Sequence, residues 1–341
     1  MPFPFWQPIC YCLGFDIRHL TLSVVMLRQP PAPRNGLLVA CMIACLGPLQ
    51  TAGGQQPSPL PPTSPPDVLA SLAQDEAKVE RFRRSFFQGF GFEGGTLFDL
   101  GDRLGGLNIS HQEVSASFGV PLFSLRHILA VQPYFRADHL DGPTAIDIPN
   151  TLYDTGVRFF NRTELSERFS TTLLITPSIR SDFQTSEDAF RVFGLGLVNW
   201  SPNERWTFSA GAVYLDREDL SLLPAVGFQW KPRPDWKVDG VFPRPRVAKR
   251  VWKDGSNGEA WTYLGLGIGG NTWAVERVTG DKDQITLREF RLLLGYELIL
   301  AGNRGMELEG GYSFGRSAEY TSDELRRDLD DGVFVRGALR F

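Results

Sequence analysis

From Ser85 onward the chain alternates in polarity from one residue to the next, in segments of about 10 to 14 residues separated by Gly, Pro, Asn and Asp. A period of two is the period of a strand, whose successive side chains point to opposite faces, and it is incompatible with the 3.6-residue period of a helix. The clearest segment sets Phe290, Leu292, Leu294, Tyr296, Leu298 and Leu300 against Glu289, Arg291, Gly295 and Glu297. A second sets Met306, Leu308, Tyr312 and Phe314 against Glu307, Glu309, Gly311 and Ser313. Others oppose Tyr153, Val157 and Phe159 to Asp154, Gly156, Arg158 and Arg162, and Phe169, Leu173, Ile175 and Ile179 to Thr172, Thr176, Ser178 and Arg180. Soluble strands average about 5 to 6 residues, whereas a tilted strand crossing a bilayer needs about 9 to 11. These lengths and faces predict an all-β fold, an antiparallel up-and-down transmembrane β-barrel of about 12 strands, within a range of about 10 to 14.

The twelve segments fall near 107–121, 127–138, 152–163, 167–180, 188–200, 205–217, 221–231, 235–249, 259–275, 284–300, 304–316 and 331–341. Residues 85–97 are either a thirteenth strand or a segment outside the ring. Connection lengths along this series do not alternate cleanly between short and long, as a simple barrel requires. The last segment places Val333, Val335, Leu339 and Phe341 on one face and Arg336 and Arg340 on the other. It resembles the C-terminal signal strand of bacterial outer-membrane barrels, which implies Phe341 as an assembly signal and the barrel-assembly machinery as a partner. An unpaired terminal strand would template aggregation, and closure removes its edge.

Mean hydropathy is −0.15, and after residue 54 no apolar run approaches the ~20 residues of a helical span. Insertion would therefore have to be by strands. Residues 26–54 read as a signal peptide, with Arg28 and Arg34 as a basic region, an apolar core over 37–49 and small residues Ala52-Gly53-Gly54 at the cleavage site. Residues 1–25 read as an extension from a mis-assigned start. Cys41 and Cys45 sit in lipobox-like contexts, but the apolar stretch before Cys41 is short, which favours simple cleavage. All four cysteines precede residue 54, so the mature chain has no disulfide or thiol chemistry. It would carry 32 Lys+Arg against 38 Asp+Glu, an acidic balance that argues against nucleic acid as a partner. Residues 55–84 read as a Pro-rich tether and a short helix, with the barrel over 85–341.

Seven of the eight tryptophans lie between 200 and 273, and three pairs bracket turns: Trp200 with Trp206, Trp230 with Trp236, and Trp252 with Trp261. Aromatic residues at strand ends suit a membrane-interface girdle, because the ring body prefers the acyl boundary and the N–H the headgroups. The opposite face offers a lumen lined by Arg158, Arg180, Glu289, Arg291, Glu297, Glu307, Glu309, Arg336 and Arg340. Such mixed charge suits a porin-like passive channel for small polar solutes or ions, or a structural barrel filled by its own ion pairs.

Other motifs carry less. Gly89-Phe90-Gly91-Phe92-Glu93-Gly94 matches a dinucleotide fingerprint but opens no helix. His111, His127 and His139 have no metal spacing and no nucleophile motif beside them, so a membrane-embedded hydrolase ranks below the channel. Asp254 to Glu259 reads as a turn rather than a calcium loop, and no cofactor or metal is expected. A soluble, secreted β-sandwich that binds a partner ranks last.

The stretch Tyr214-Leu215-Asp216-Arg217-Glu218-Asp219 through Leu222 to Trp230, followed by Phe242-Pro243-Arg244-Pro245-Arg246, resembles a family of uncharacterised planctomycete proteins of unknown function. Trp273 to Arg277 and Arg288 to Gly295 extend the likeness. It implies an outer-membrane β-barrel, with outer-membrane lipid as its surroundings and no activity to transfer.

Overall fold

A computed structural model of the chain describes residues 77–101, 106–122, 128–143, 146–216, 221–323 and 326–341. The expected signal peptide over 26–54 and the expected tether up to residue 76 lie outside them. The described chain is a closed antiparallel barrel. Its strands are β1 (Phe87–Asp99), β2 (Asn108–Pro121), β3 (Ile128–Asp141), β4 (Thr151–Glu164), β5 (Phe169–Ser181), β6 (Phe190–Trp200), β7 (Trp206–Tyr214) and β8 (Leu222–Arg233). There follow β9 (Trp236–Asp239), β10 (Arg246–Asp254), β11 (Gly258–Gly269), β12 (Thr272–Glu276), β13 (Lys282–Leu300), β14 (Arg304–Tyr320), β15 (Arg326–Leu329) and β16 (Gly332–Arg340). Neighbours in sequence pair round the wall, β11 pairs with β13, β13 with β14, β14 with β16, and β16 closes on β1. The ring thus holds fourteen strands, while the short β12 and β15 extend β13 and β14 above it.

Fourteen rather than twelve has two local causes. Residues 85–97 belong to the ring as β1, whose pairing with β16 runs from Gly91–Arg340 to Asp99–Gly332. The segment expected over 235–249 is two strands, because the chain turns back through Gly240 to Pro245. Two prolines there remove ladder donors. With this turn restored, the connections alternate: short ones at the end where Phe341 lies, here called lower, and longer ones at the upper end. Phe341 itself exchanges backbone hydrogen bonds with Phe90, N–H to O at 3.2 Å and O to N–H at 3.1 Å, and the two rings pack edge to face. Of the expected short helix at the end of the tether, residues 77–84 are described and are not helical, and the rest lies outside the described residues.

The outer face carries a continuous apolar band. Leu173, Val198, Val226, Leu264, Leu294 and Val335 are all exposed on it, Leu294 by 64% of its surface. In water a patch of this extent would drive aggregation, whereas a bilayer is the medium that covers it. Aromatic residues edge the band. Below, Trp206 stacks on Phe208 and Trp230, and Trp200 packs on Phe208; above, Tyr153 stacks on Phe183 and Phe290 on Phe314. This is an outer-membrane-type barrel.

Candidate functional site in the barrel lumen

The inward face differs from one side of the ring to the other. On β13, β14, β16 and β1 the alternation turns Glu289, Arg291, Glu297, Glu307, Glu309, Arg336 and Glu93 into the lumen. Arg336 is the hub: its guanidinium reaches Glu309 at 2.7 Å, Glu93 at 3.1 Å and Glu307 at 3.3 Å. Tyr263 of β11 directs its hydroxyl at Glu307 and at Glu309, 2.8 Å from the latter. Glu297 is 1% exposed and lies 3.9 Å from both Arg246 and Arg340, too far for a hydrogen bond to either. Arg291 pairs with Glu289, which also accepts from Ser313 at 2.6 Å. On β2 to β5, Arg158 grips Glu113 through two hydrogen bonds of 2.6 and 2.8 Å, Arg136 pairs with Asp138, and Arg180 donates to Asp154 at 3.0 Å. Paired fork-to-carboxylate contacts of this kind let charges sit inside a wall at tolerable desolvation cost.

Across β4 to β8 one level of the inward face is apolar, between the Arg158 and Arg180 pairs on one side and Arg162 with its Ser170 contact on the other. The ladder lines up Phe160, Leu174, Leu195, Val213 and Leu223 in one row, each residue opposite the next. With Ala225, the first four form a buried cluster that Leu223 packs against.

Both mouths are obstructed. Above, the β12–β13 extension leans across the ring until Ala274 meets Ser181 of β5, a strand on the opposite side. Trp273, Val275, Ile285, Leu287, Leu107 and Tyr320 are buried there in one apolar core. Polar ties fasten it. Asp182 accepts from the Glu276 N–H at 2.8 Å, Arg277 donates to Asp147 at 2.9 Å and to Asp283 at 3.0 Å, and Tyr320 donates to the Asp147 carbonyl. Asp283 stands above the band. Burial works to raise its pKa, but hydrogen bonds from Ser322, the Gln284 N–H and Arg277 outweigh that and hold it below the ordinary aspartate range. Below, residues 77–84 enter the mouth. Val79 packs with Trp261, Tyr263, Ala248 and Ile299, and Arg81 pairs with Glu259 at 2.8 Å.

The expected lumen residues Arg158, Arg180, Glu289, Arg291, Glu297, Glu307, Glu309, Arg336 and Arg340 stand on the inward face, those of β13, β14 and β16 separated from those of β4 and β5 by β1 to β3, which carry Glu93, Glu113 and Arg136. Trp200, Trp206, Trp230, Trp236 and Trp252 are on the outward face near the lower edge. Trp261 is a correction: it points into the lumen, 8% exposed, under Arg250. Facing residues of a hairpin share a face, and the partner of Trp252 is Ala260, so Trp261 must lie on the other side. His111 lies 3.4 Å from Glu93, His139 is exposed beside Thr151, and His127 is outside the described residues. Asp254 to Gly258 is the hairpin turn between β10 and β11. Several inward groups gave no signal in sequence. Arg316, 2% exposed, donates to the carbonyls of Leu107 and Asp330 at 2.7 Å, and it turns inward only because Gly315 interrupts the period at a φ of 58°.

No family model matches the chain, and no curated protein does. Among solved structures it is similar to the siderophore receptor PirA from Pseudomonas aeruginosa, at 15% identity and a TM-score of 0.30, over 74% of this chain and 60% of that one. It is also similar to the β domain of the Bordetella autotransporter BrkA, at 9% identity and a TM-score of 0.25, over 74% of this chain and 99% of that domain.

Proposed function

We propose that this chain is an outer-membrane β-barrel closed along its axis, a filled barrel rather than a standing porin. The observation that carries this reading is the apolar core over the upper mouth, in which β12 reaches from one side of the ring to the other. Hydrated ions would have to cross Trp273, Val275 and Ile285 to enter, and an apolar constriction of this kind excludes water. The ion pairs below then act as a scaffold that neutralises inward charge. In this reading the signal over 26–54 directs export, the strand ending in Phe341 is taken up by the barrel-assembly machinery, and outer-membrane lipid covers the apolar band. No catalytic group is assigned.

The porin-like channel is the second reading, favoured by the carboxylate rows Glu297, Glu307 and Glu309 lining one arc of the lumen. Planar-bilayer recording separates the two. The intact protein, with insertion verified, should show no steady conductance, and Arg277→Ala combined with Asp182→Ala should produce conducting steps by releasing β12. Steady conductance of the unaltered protein, with a cation preference that shifts when Glu297 and Glu309 are neutralised, would establish the channel instead.

A further inference from the structure

The wall has a notch. β9 and β10 stop short at the upper end, so that above the turn from Gly240 to Pro245 no described strand stands between β8 and β11. The last contacts are Phe242 N–H to the Val226 carbonyl at 3.4 Å on one side and Leu266 N–H to the Pro245 carbonyl at 3.0 Å on the other. Above them, residues 222–225 of β8 and 267–269 of β11 have no ladder partner on the facing edges. Two missing strands leave three strand spacings of about 4.8 Å each, so the edges stand roughly 14 Å apart. The sequence accommodates the bare edge. The Val226 carbonyl faces the missing strands, and so therefore does the backbone two residues earlier, where Pro224 has no N–H to leave unsatisfied.

The chemistry around the notch is two-sided. Its outer flanks are apolar and exposed: Leu222 and Val226 on β8, Leu264 and Leu266 on β11, and Phe242 on the floor. Arg244 stands on that floor with its side chain exposed, within the electrostatic reach of the lumen charges Arg336, Arg291, Glu309 and Glu93. Its guanidinium makes no hydrogen bond or ion pair with any described residue, in contrast to Arg158, Arg180 and Arg336. On the inner side the apolar row from Phe160 ends at Leu223, at the edge of β8.

We propose that the notch is a lateral binding site for a long-chain fatty acid drawn from the surrounding leaflet, its carboxylate on Arg244 and its chain along Leu222, Val226 and Leu266. The site rests on membrane insertion but not on the closure of the axis. An anionic head answers the arginine that lacks a protein partner, and an alkyl chain covers flanks that no strand covers.

The test uses the full chain, folded in detergent and checked for heat-modifiable mobility, with a diazirine-bearing palmitate and mass-spectrometric mapping of the cross-links. Labelling should concentrate on 222–228, 241–247 and 264–269 and should be competed by unlabelled palmitate. Arg244→Ala should reduce it by about tenfold or more, the loss of one charge-assisted contact, while Arg244→Lys retains most of it. A diazirine hexadecanol, with the same chain and no charge, should label the notch weakly. Labelling spread evenly round the band, equal labelling by the alcohol, or no change in a folded Arg244→Ala protein would overturn the site.

Discussion

The two inner arcs of the barrel solve the same packing problem with opposite chemistry. On β13, β14, β16 and β1, one arginine, Arg336, balances three carboxylates, Glu93, Glu307 and Glu309. On β4 to β8, the row Phe160, Leu174, Leu195 and Val213 packs an apolar layer beside the Arg158 and Arg180 ion pairs of the same strands. The difference lies in how each arc fails. A charged layer depends on compensation, so deleting the hub leaves several groups in an environment that cannot solvate them. An apolar layer depends on volume, and deleting a side chain costs the transfer of the lost atoms plus the cavity that remains.

The largest effect should come from Arg336→Ala. Stranding buried carboxylates costs about 3 to 5 kcal/mol, to be read as a lower urea midpoint for the folded barrel, with Arg336→Lys recovering part of it because a point charge replaces the fork. A loss no larger than that of an exposed arginine would mean that water reaches the three glutamates freely and that the charged arc is no layer. Next is Leu174→Ala, 3% exposed between Phe160 and Leu195 in the apolar row, which should cost about 2 to 4 kcal/mol. Because Leu174 lies on β5 and Arg336 on β16, the two losses should add in the double mutant. Marked non-additivity would show the arcs to be coupled through the lumen.

The smallest effect concerns the cap. Asp283 has a folded pKa below its ordinary value, so its contribution is present above the unfolded value and is lost as pH falls through the folded one. The ties of Arg277 and Ser322 should therefore hold at neutral pH and weaken only below about pH 4. Hydrogen exchange of the backbone over 272–287 should accelerate in that acid range, with the Asp283→Asn protein showing the faster exchange at neutral pH as well. Acceleration on raising the pH instead would reverse the assignment.

The contrast between the arcs also explains what could be read in advance. On β13 and β14 the inward face is charged and the outward face apolar, so Glu289, Arg291, Glu297, Glu307 and Glu309 declare the strand and its facing at once. On β6, where Leu195 and Leu197 face inward and Val198 outward, both faces are apolar and alternation says little about which is which. Trp261 shows a second limit. A tryptophan near a turn looks the same in sequence whichever face it takes, and a one-residue difference in pairing decides it.

The sequence by itself determined the strand period, the strand lengths suited to a bilayer, the aromatic residues near strand ends and the charge on the stronger inward face. These follow from the pleat, which is local: each residue's face depends only on its neighbours along the chain. The tertiary structure decided the ring of fourteen, the reach of β12 to β5, the entry of Val79 into the lower mouth and the notch between β8 and β11. Each depends on which distant segment supplies the partner, as Ala274 meets Ser181 or Arg336 meets Glu93. Nothing in a strand's own alternation specifies its partner across the ring, because hydrogen-bonded pairing joins backbones that are alike at every position.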